Sequence, residues 1–96
     1  MEVIVSPEAD EDLRAILTFG FDRWDVDTTV AYVAALTVTI QRLSAFPQLG
    51  RTMPEMPDRF RVMRSGRHRV FYRIDDEQIL IVRVLHERAS LPVIDD

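Results

Sequence analysis

From Phe60 to Glu87 the chain reads FRVMRSGRHRVFYRIDDEQILIVRVLHE, and this stretch decides the fold. Three runs, Phe60–Ser65, His68–Ile74 and Gln78–Glu87, carry the β-branched, aromatic and alternating residues of strands. Gly66-Arg67 between the first two suits a tight hairpin turn, and Asp75-Asp76-Glu77 supplies a second turn. Strands joined so tightly run antiparallel. A sheet of this kind must cover an apolar face, and the residues before it provide the cover.

Working outward, Pro47 to Pro57 holds three prolines and a glycine and reads as an extended loop. Before it, Val30, Val33, Leu36, Ile40 and Leu43 recur at spacings of three and four, one face of a helix that Pro47 stops. That segment is rich in Thr and Val, so periodicity rather than propensity carries the assignment. Ala9, Leu13, Ile16, Leu17, Gly20 and Trp24 mark an earlier helix. Ser6-Pro7-Glu8 opens it with a hydroxyl N-cap, a proline at the first helical position and an acid in the first turn. Asp25 or Asp27 ends this helix and caps the next, giving an antiparallel hairpin. Glu2–Val5 reads as a short strand. The expected fold class is α+β, in the order β-α-α-β-β-β, with the helical hairpin on one face of a mainly antiparallel sheet. Residues 1–96 make a single domain, with a loosely held tail after Arg88 that contains Pro92 and two terminal acids.

Apolar residues at 47% and charged residues at 29% exclude a disordered chain. Cysteine is absent, which excludes disulfides and thiolate chemistry and fits a reducing compartment. The N-terminus lacks the basic and long apolar regions of a signal peptide, and no run approaches the roughly 20 apolar residues of a membrane span. A cytoplasmic protein is expected. The net charge of −4 conceals a polarity: residues 1–30 hold eight acids against two arginines, whereas 51–73 hold seven arginines against two acids. All twelve basic residues are arginine, whose planar fork suits carboxylates and phosphates.

Several fragments, in this order, resemble toxins of the ParE type within the ParE/RelE family. They are Ser6-Pro7-Glu8-Ala9 with Asp12-Leu13 and Ile16, Arg23-Trp24, and Leu43-Ser44-Ala45-Phe46-Pro47-Gln48-Leu49-Gly50. Gly66-Arg67-His68-Arg69-Val70-Phe71-Tyr72-Arg73 and Ile81-Val82-Arg83-Val84-Leu85-His86-Glu87-Arg88 complete the set, which spans roughly residues 3–90. The resemblance implies the β-α-α-β-β-β fold, a cognate ParD-like antitoxin encoded beside the toxin, and poisoning of DNA gyrase. The related RelE branch cleaves mRNA on the ribosome, which requires a proton acceptor, a proton donor and cations for the phosphorane charge. Arginines supply only the cations, because their pKa lies above about 12. The candidate bases are His68, His86 and Glu87; the absence of lysine, prominent in several RelE-type sites, departs from that pattern, so a binder is favoured over an enzyme and no catalytic residue is assigned. The alternatives are a ribonuclease using His86, Arg83 and Arg73, or a non-toxic partner and co-repressor of the antitoxin.

Alternation puts Arg69, Phe71 and Arg73 on one face and Val70, Tyr72 and Ile74 on the other. With Tyr72 inward, Arg69 and Arg73 are expected to join Arg83 on the face away from the helices. In the last strand Leu80, Val82, Val84 and His86 are expected to meet the helices, opposite Ile79, Ile81, Arg83 and Leu85. The target surface is therefore expected at Arg69, Arg73, Arg83, His86 and Arg88. A plainer role for His86 is to close the sheet edge with a hydrogen bond, and His68, just after a turn, is expected in solvent. Phe19, Phe21, Trp24 and Tyr32 crowd the helix link beyond what two thin helices bury, and such aromatics favour interfaces. With Arg61 and Arg64 they are the expected antitoxin contacts. No cofactor is expected, and no His/Asp/Glu spacing suggests a metal. Nucleic acid is expected only indirectly, through antitoxin or gyrase.

Overall fold

The computed structural model describes residues 1–93, so the two terminal acids of the expected loose tail lie outside the described residues. Strand β1 (Glu2–Val5) leads into helices α1 (Pro7–Arg23) and α2 (Val26–Ala45), followed by strands β2 (Phe60–Ser65), β3 (His68–Asp75) and β4 (Gln78–His86). The sheet order is β1-β4-β3-β2. β1 runs parallel to β4, Glu2 opposite Gln78, and the other pairs are antiparallel. Two helices packed on a mainly antiparallel sheet is the α+β arrangement expected from the sequence.

Local chemistry sets the helix ends. The Ser6 hydroxyl accepts from Ala9 N at 3.0 Å and donates to Val82 O at 2.9 Å, so one side chain caps α1 and ties it to β4. Asp25 caps α2 by accepting from Thr28 N at 2.7 Å, which holds its carboxyl below the usual carboxylate range. The helices approach closely where Gly20 meets the buried Thr29: a Cβ on Gly20 would lie 2.5 Å from Thr29 Cγ2.

The sheet is buried on both faces. Ala9, Ile16, Leu36, Ile40 and Leu43 pack against Val70, Tyr72, Ile79, Ile81 and Val84 on the helical side. A second core lies on the other side, where Met56 and Met53 of the long loop cover Phe60, Val62, Phe71, Val82 and Leu85. The loop before β2 is thus a lid. It is pinned by an Arg51–Val62 bridge and by Tyr72, whose hydroxyl donates to Pro47 O at 2.7 Å and accepts from Gly50 N at 2.8 Å. Burial pushes the Tyr72 hydroxyl pKa up, against the opposing pull of the Gly50 N–H and Arg61.

One expectation about β4 fails. Phe71 faces Arg83 but Tyr72 faces Ile81, so Val82 is an extra residue in β4, a β-bulge. The bulge reverses the alternation along the strand. Ile79, Ile81 and Val84 face the helices, while Val82 falls in the second core with Leu85. Strict alternation had placed Val82 with Val84 and had grouped Arg83 with Ile79 and Ile81.

Candidate functional site

Beyond Ile81, β4 has no β1 residue beside it, because β1 ends at Val5 and the chain turns into α1. Asp12 of α1 takes over that edge. Its carboxylate accepts from Val84 N at 2.9 Å and from Arg83 Nε and Nη2 at 2.8 and 2.9 Å. The hydrogen bond to Asp12 is the main reason the Arg83 pKa is raised, ahead of the opposing burial and the charges of Asp12, Glu8 and Glu11. Arg83 therefore does not join Arg69 and Arg73 beyond the sheet, which corrects the expected three-arginine face.

Next to this anchor a cleft of about 420 Å³ opens between α1, the helix link and the ends of β3 and β4. Asp12, Ile16 and Phe19, at helical spacing, form one wall. Trp24 and Tyr32 close the top, and Arg67, His68, Val84 and His86 form the other side. Phe19, Trp24, Tyr32, His68 and His86 make a continuous file of rings, with successive centroids 6.1, 5.8, 5.5 and 5.4 Å apart. Phe19 and Trp24 remain 49% and 42% exposed, large apolar surface left open although the Arg23 guanidinium lies 4.0 Å from the Phe19 ring centroid.

Tyr32 ties this file to the β2–β3 turn. Its hydroxyl accepts from Arg67 N at 3.0 Å and lies 2.6 Å from His68 Nδ1, so that nitrogen is engaged in either tautomer of the ring. Burial first, and the neighbouring His86 second, lower the His68 pKa, while Asp12 and Glu87 oppose them. His68 is half-buried rather than solvated as expected. His86 is exposed, and its Nδ1 accepts from Arg88 N at 3.2 Å. Both rings thus have Nδ1 engaged within the protein. Gly66 is required at the adjoining turn: its φ is +57°, and a Cβ there would lie 2.7 Å from the Tyr32 ring.

The structure brings Phe19, Trp24, Tyr32 and His86 together and leaves other expected residues elsewhere. Phe21, 48% exposed, lies outside the cleft. Arg61 donates to Gly50 O at 2.7 Å, and Arg64 pairs with Glu87 at 2.6 Å, so neither reaches the cleft. Arg73 pairs with Asp75 and its guanidinium lies 5.8 Å from the Phe60 ring centroid. Arg73 faces Leu80, six residues from His86 along β4, or roughly 20 Å at strand rise. Arg73, Arg83 and His86 therefore do not form one centre. Arg88 is exposed beside His86. Sequence reasoning missed Asp12 and Arg67; the helical spacing of Asp12, Ile16 and Phe19 was the available signal. Among the described residues no group of three or more His, Asp or Glu could hold a metal, and no helix is long and apolar enough to cross a membrane.

Residues 3–91 match the family model described as the ParE toxin of the type II toxin–antitoxin system parDE. The chain belongs to the ParE toxin family. It is 37% identical over 89 residues to Toxin ParE1 of Mycobacterium tuberculosis, covering 92% of this chain and 91% of that one. Toxin ParE of Escherichia coli is 34% identical over 89 residues, covering 92% and 86%. Among solved structures, the chromosomal ParDE toxin–antitoxin system of P. aeruginosa superposes with a TM-score of 0.77 at 17% identity, over 90% of this chain and 95% of that one. The RelBE2 toxin–antitoxin complex of M. tuberculosis gives 0.67 at 26% identity, over 88% and 95%. Family membership makes this chain a toxin of the type II class.

Proposed function

We propose that this toxin acts by binding DNA gyrase rather than by chemistry, and that a ParD-like antitoxin neutralises it by seating an amphipathic segment in the aromatic cleft. The uncovered cleft between α1 and the end of β4 carries the antitoxin half of this reading. An apolar file of rings, bordered by the Asp12–Arg83 pair on one side and the Arg67–Glu87 pair on the other, offers an amphipathic helix or strand a seat with a polar rim. The gyrase half follows from the resemblance to ParE toxins. The binding mechanism is supported by the two imidazoles, whose Nδ1 atoms are already occupied, and by the separation of Arg73 from His86.

The partner is tested by melting. Antitoxin at 100 times its dissociation constant should stabilise the toxin by about 2.7 kcal/mol, and Trp24→Ala should remove most of that gain. A midpoint unmoved by saturating antitoxin refutes the cleft assignment. The target is tested by running gyrase supercoiling and mRNA cleavage side by side with one toxin preparation. Inhibited supercoiling with intact mRNA is expected. Cleaved mRNA that becomes intact with a folded His86→Ala variant would establish the ribonuclease instead.

A further inference from the structure

We infer that the sheet face away from the helices carries a second site, for a phosphate-class oxyanion, formed by Arg51, Arg64 and Arg69 with Glu87 as a resident competitor. This site is separate from the aromatic cleft and does not depend on how the antitoxin docks. Arg64 and Arg69 face each other directly across β2 and β3. Both side chains share the alternation of Val62 and Phe71, which places them beyond the second core. Like charges directly opposite across strands are unfavourable, so this pair is not there for the stability of the sheet.

A third arginine is held beside them by its backbone. Arg51 donates its N–H to Val62 O at 3.1 Å and accepts from Val62 N at 2.9 Å, which holds the lid against the edge of β2. Arg51, Val62, Arg64, Arg69 and Glu87 line a recess of about 270 Å³. Since a water occupies about 30 Å³ of liquid, the recess admits an oxyanion with several waters.

The arginines are incompletely satisfied. Arg69 lies over the Phe71 ring at 5.2 Å and gives Nη2 to Ala89 O at 3.1 Å, yet its buried Nε finds no acceptor among the described residues. A buried donor on a cation without an acceptor is costly, and native structures rarely leave one. The single carboxylate of the recess, Glu87, is drawn outward to Arg64 at 2.6 Å and Arg67 at 3.0 Å. Burial would raise the Glu87 pKa, but Arg64 and Arg67 together pull it down, so it stays ionised and occupies part of the cationic field.

Three guanidiniums against one carboxylate leave an excess of two positive charges. A lone carboxylate would use one fork and leave the others facing each other. A tetrahedral phosphate presents oxygens in several directions and can take donors from three forks at once. The same chemistry is offered by a free phosphate or phosphomonoester and by the backbone of a nucleic acid.

The test is calorimetric titration of the full chain, in chloride buffer, with inorganic phosphate, a short single-stranded DNA and a polyglutamate peptide in separate arms. Binding of phosphate or DNA is expected, weakened by salt. Arg69→Gln and Arg51→Gln should each weaken it by about tenfold. Glu87→Gln should tighten it severalfold by removing the competitor, a gain that a merely structural role cannot produce. If Arg69→Gln does not fold, Arg51→Gln carries the test, because Arg51 is anchored through its backbone. Phosphate binding alone identifies a small ligand, and tighter DNA binding identifies a backbone. No binding in either arm, binding indifferent to both arginines, weaker binding in Glu87→Gln, or tighter binding of polyglutamate would each overturn the proposal.

Discussion

Asp12 does more with one side chain than any other residue at the cleft. Its two oxygens accept three donors from β4, and its side chain is 14% exposed. Asp12→Asn keeps the shape but turns one acceptor into a donor that faces Arg83 or Val84 N. A loss of about 1–3 kcal/mol in denaturant unfolding is expected, and an unchanged midpoint would show that water replaces the contact. His68 gives the pH dependence. Its folded pKa lies below the ordinary 6.5, so the unfolded chain takes up this proton first. The stabilisation is full above 6.5 and is lost as pH falls from there towards the folded pKa. The melting midpoint should fall between pH 7.5 and 5.5, and His68→Gln should flatten that slope. Neither Asp12 nor His68 was legible as a site residue, because each acts through a partner far away in sequence. The exposed rings at Phe19 and Trp24 were legible, since their number exceeded what a helical hairpin can bury.

The elements themselves were written plainly in local chemistry. Ser6-Pro7 and Asp25 announce both helix starts, and Gly66, at φ +57°, announces the hairpin. The strands stand where their periodicity put them, although β3 runs on to Asp75 and β4 stops at His86. Two features were hidden. A bulge at Val82 leaves no mark in a run of apolar residues, yet it moves Val82 away from the helices and parts Arg83 from the face of Ile79 and Ile81. The second core was hidden because Met53 and Met56 sit in a proline-rich stretch that reads only as loop. The helical hairpin offers the sharpest test of packing at this scale. Gly20→Ala would drive a methyl into Thr29, where a Cβ would have 2.5 Å to the nearest atom. The gain in helix propensity, about 1 kcal/mol, opposes this, but overpacking costs about 1–3 kcal/mol. Net destabilisation is expected, and Thr29→Ser in the same chain should recover part of it by removing Cγ2. A more stable Gly20→Ala protein would show that the helices can simply separate.

For the whole molecule, the decisive feature is the pairing of its first strand with its last. Among the described residues β1 finds its one sheet partner at Gln78–Ile81, and the aromatic cleft is walled by α1 on one side and by Val84 to His86 on the other. The helical hairpin therefore has no complete sheet to lie on until β4 is present. A chain cut after Glu77 should show no cooperative melting and no antitoxin binding, whereas retained binding would mean that α1 and the helix link suffice. Ribosomes add about 5–20 residues per second, so the separation of 76 residues from Glu2 to Gln78 corresponds to an interval on the order of 4–15 s. Throughout it the emerging polypeptide lacks both the β4 wall of the aromatic cleft and the finished sheet. On the proposed reading, the surface that an antitoxin would seat on exists only once β4 has emerged, so an antitoxin meant to intercept the toxin must already be waiting.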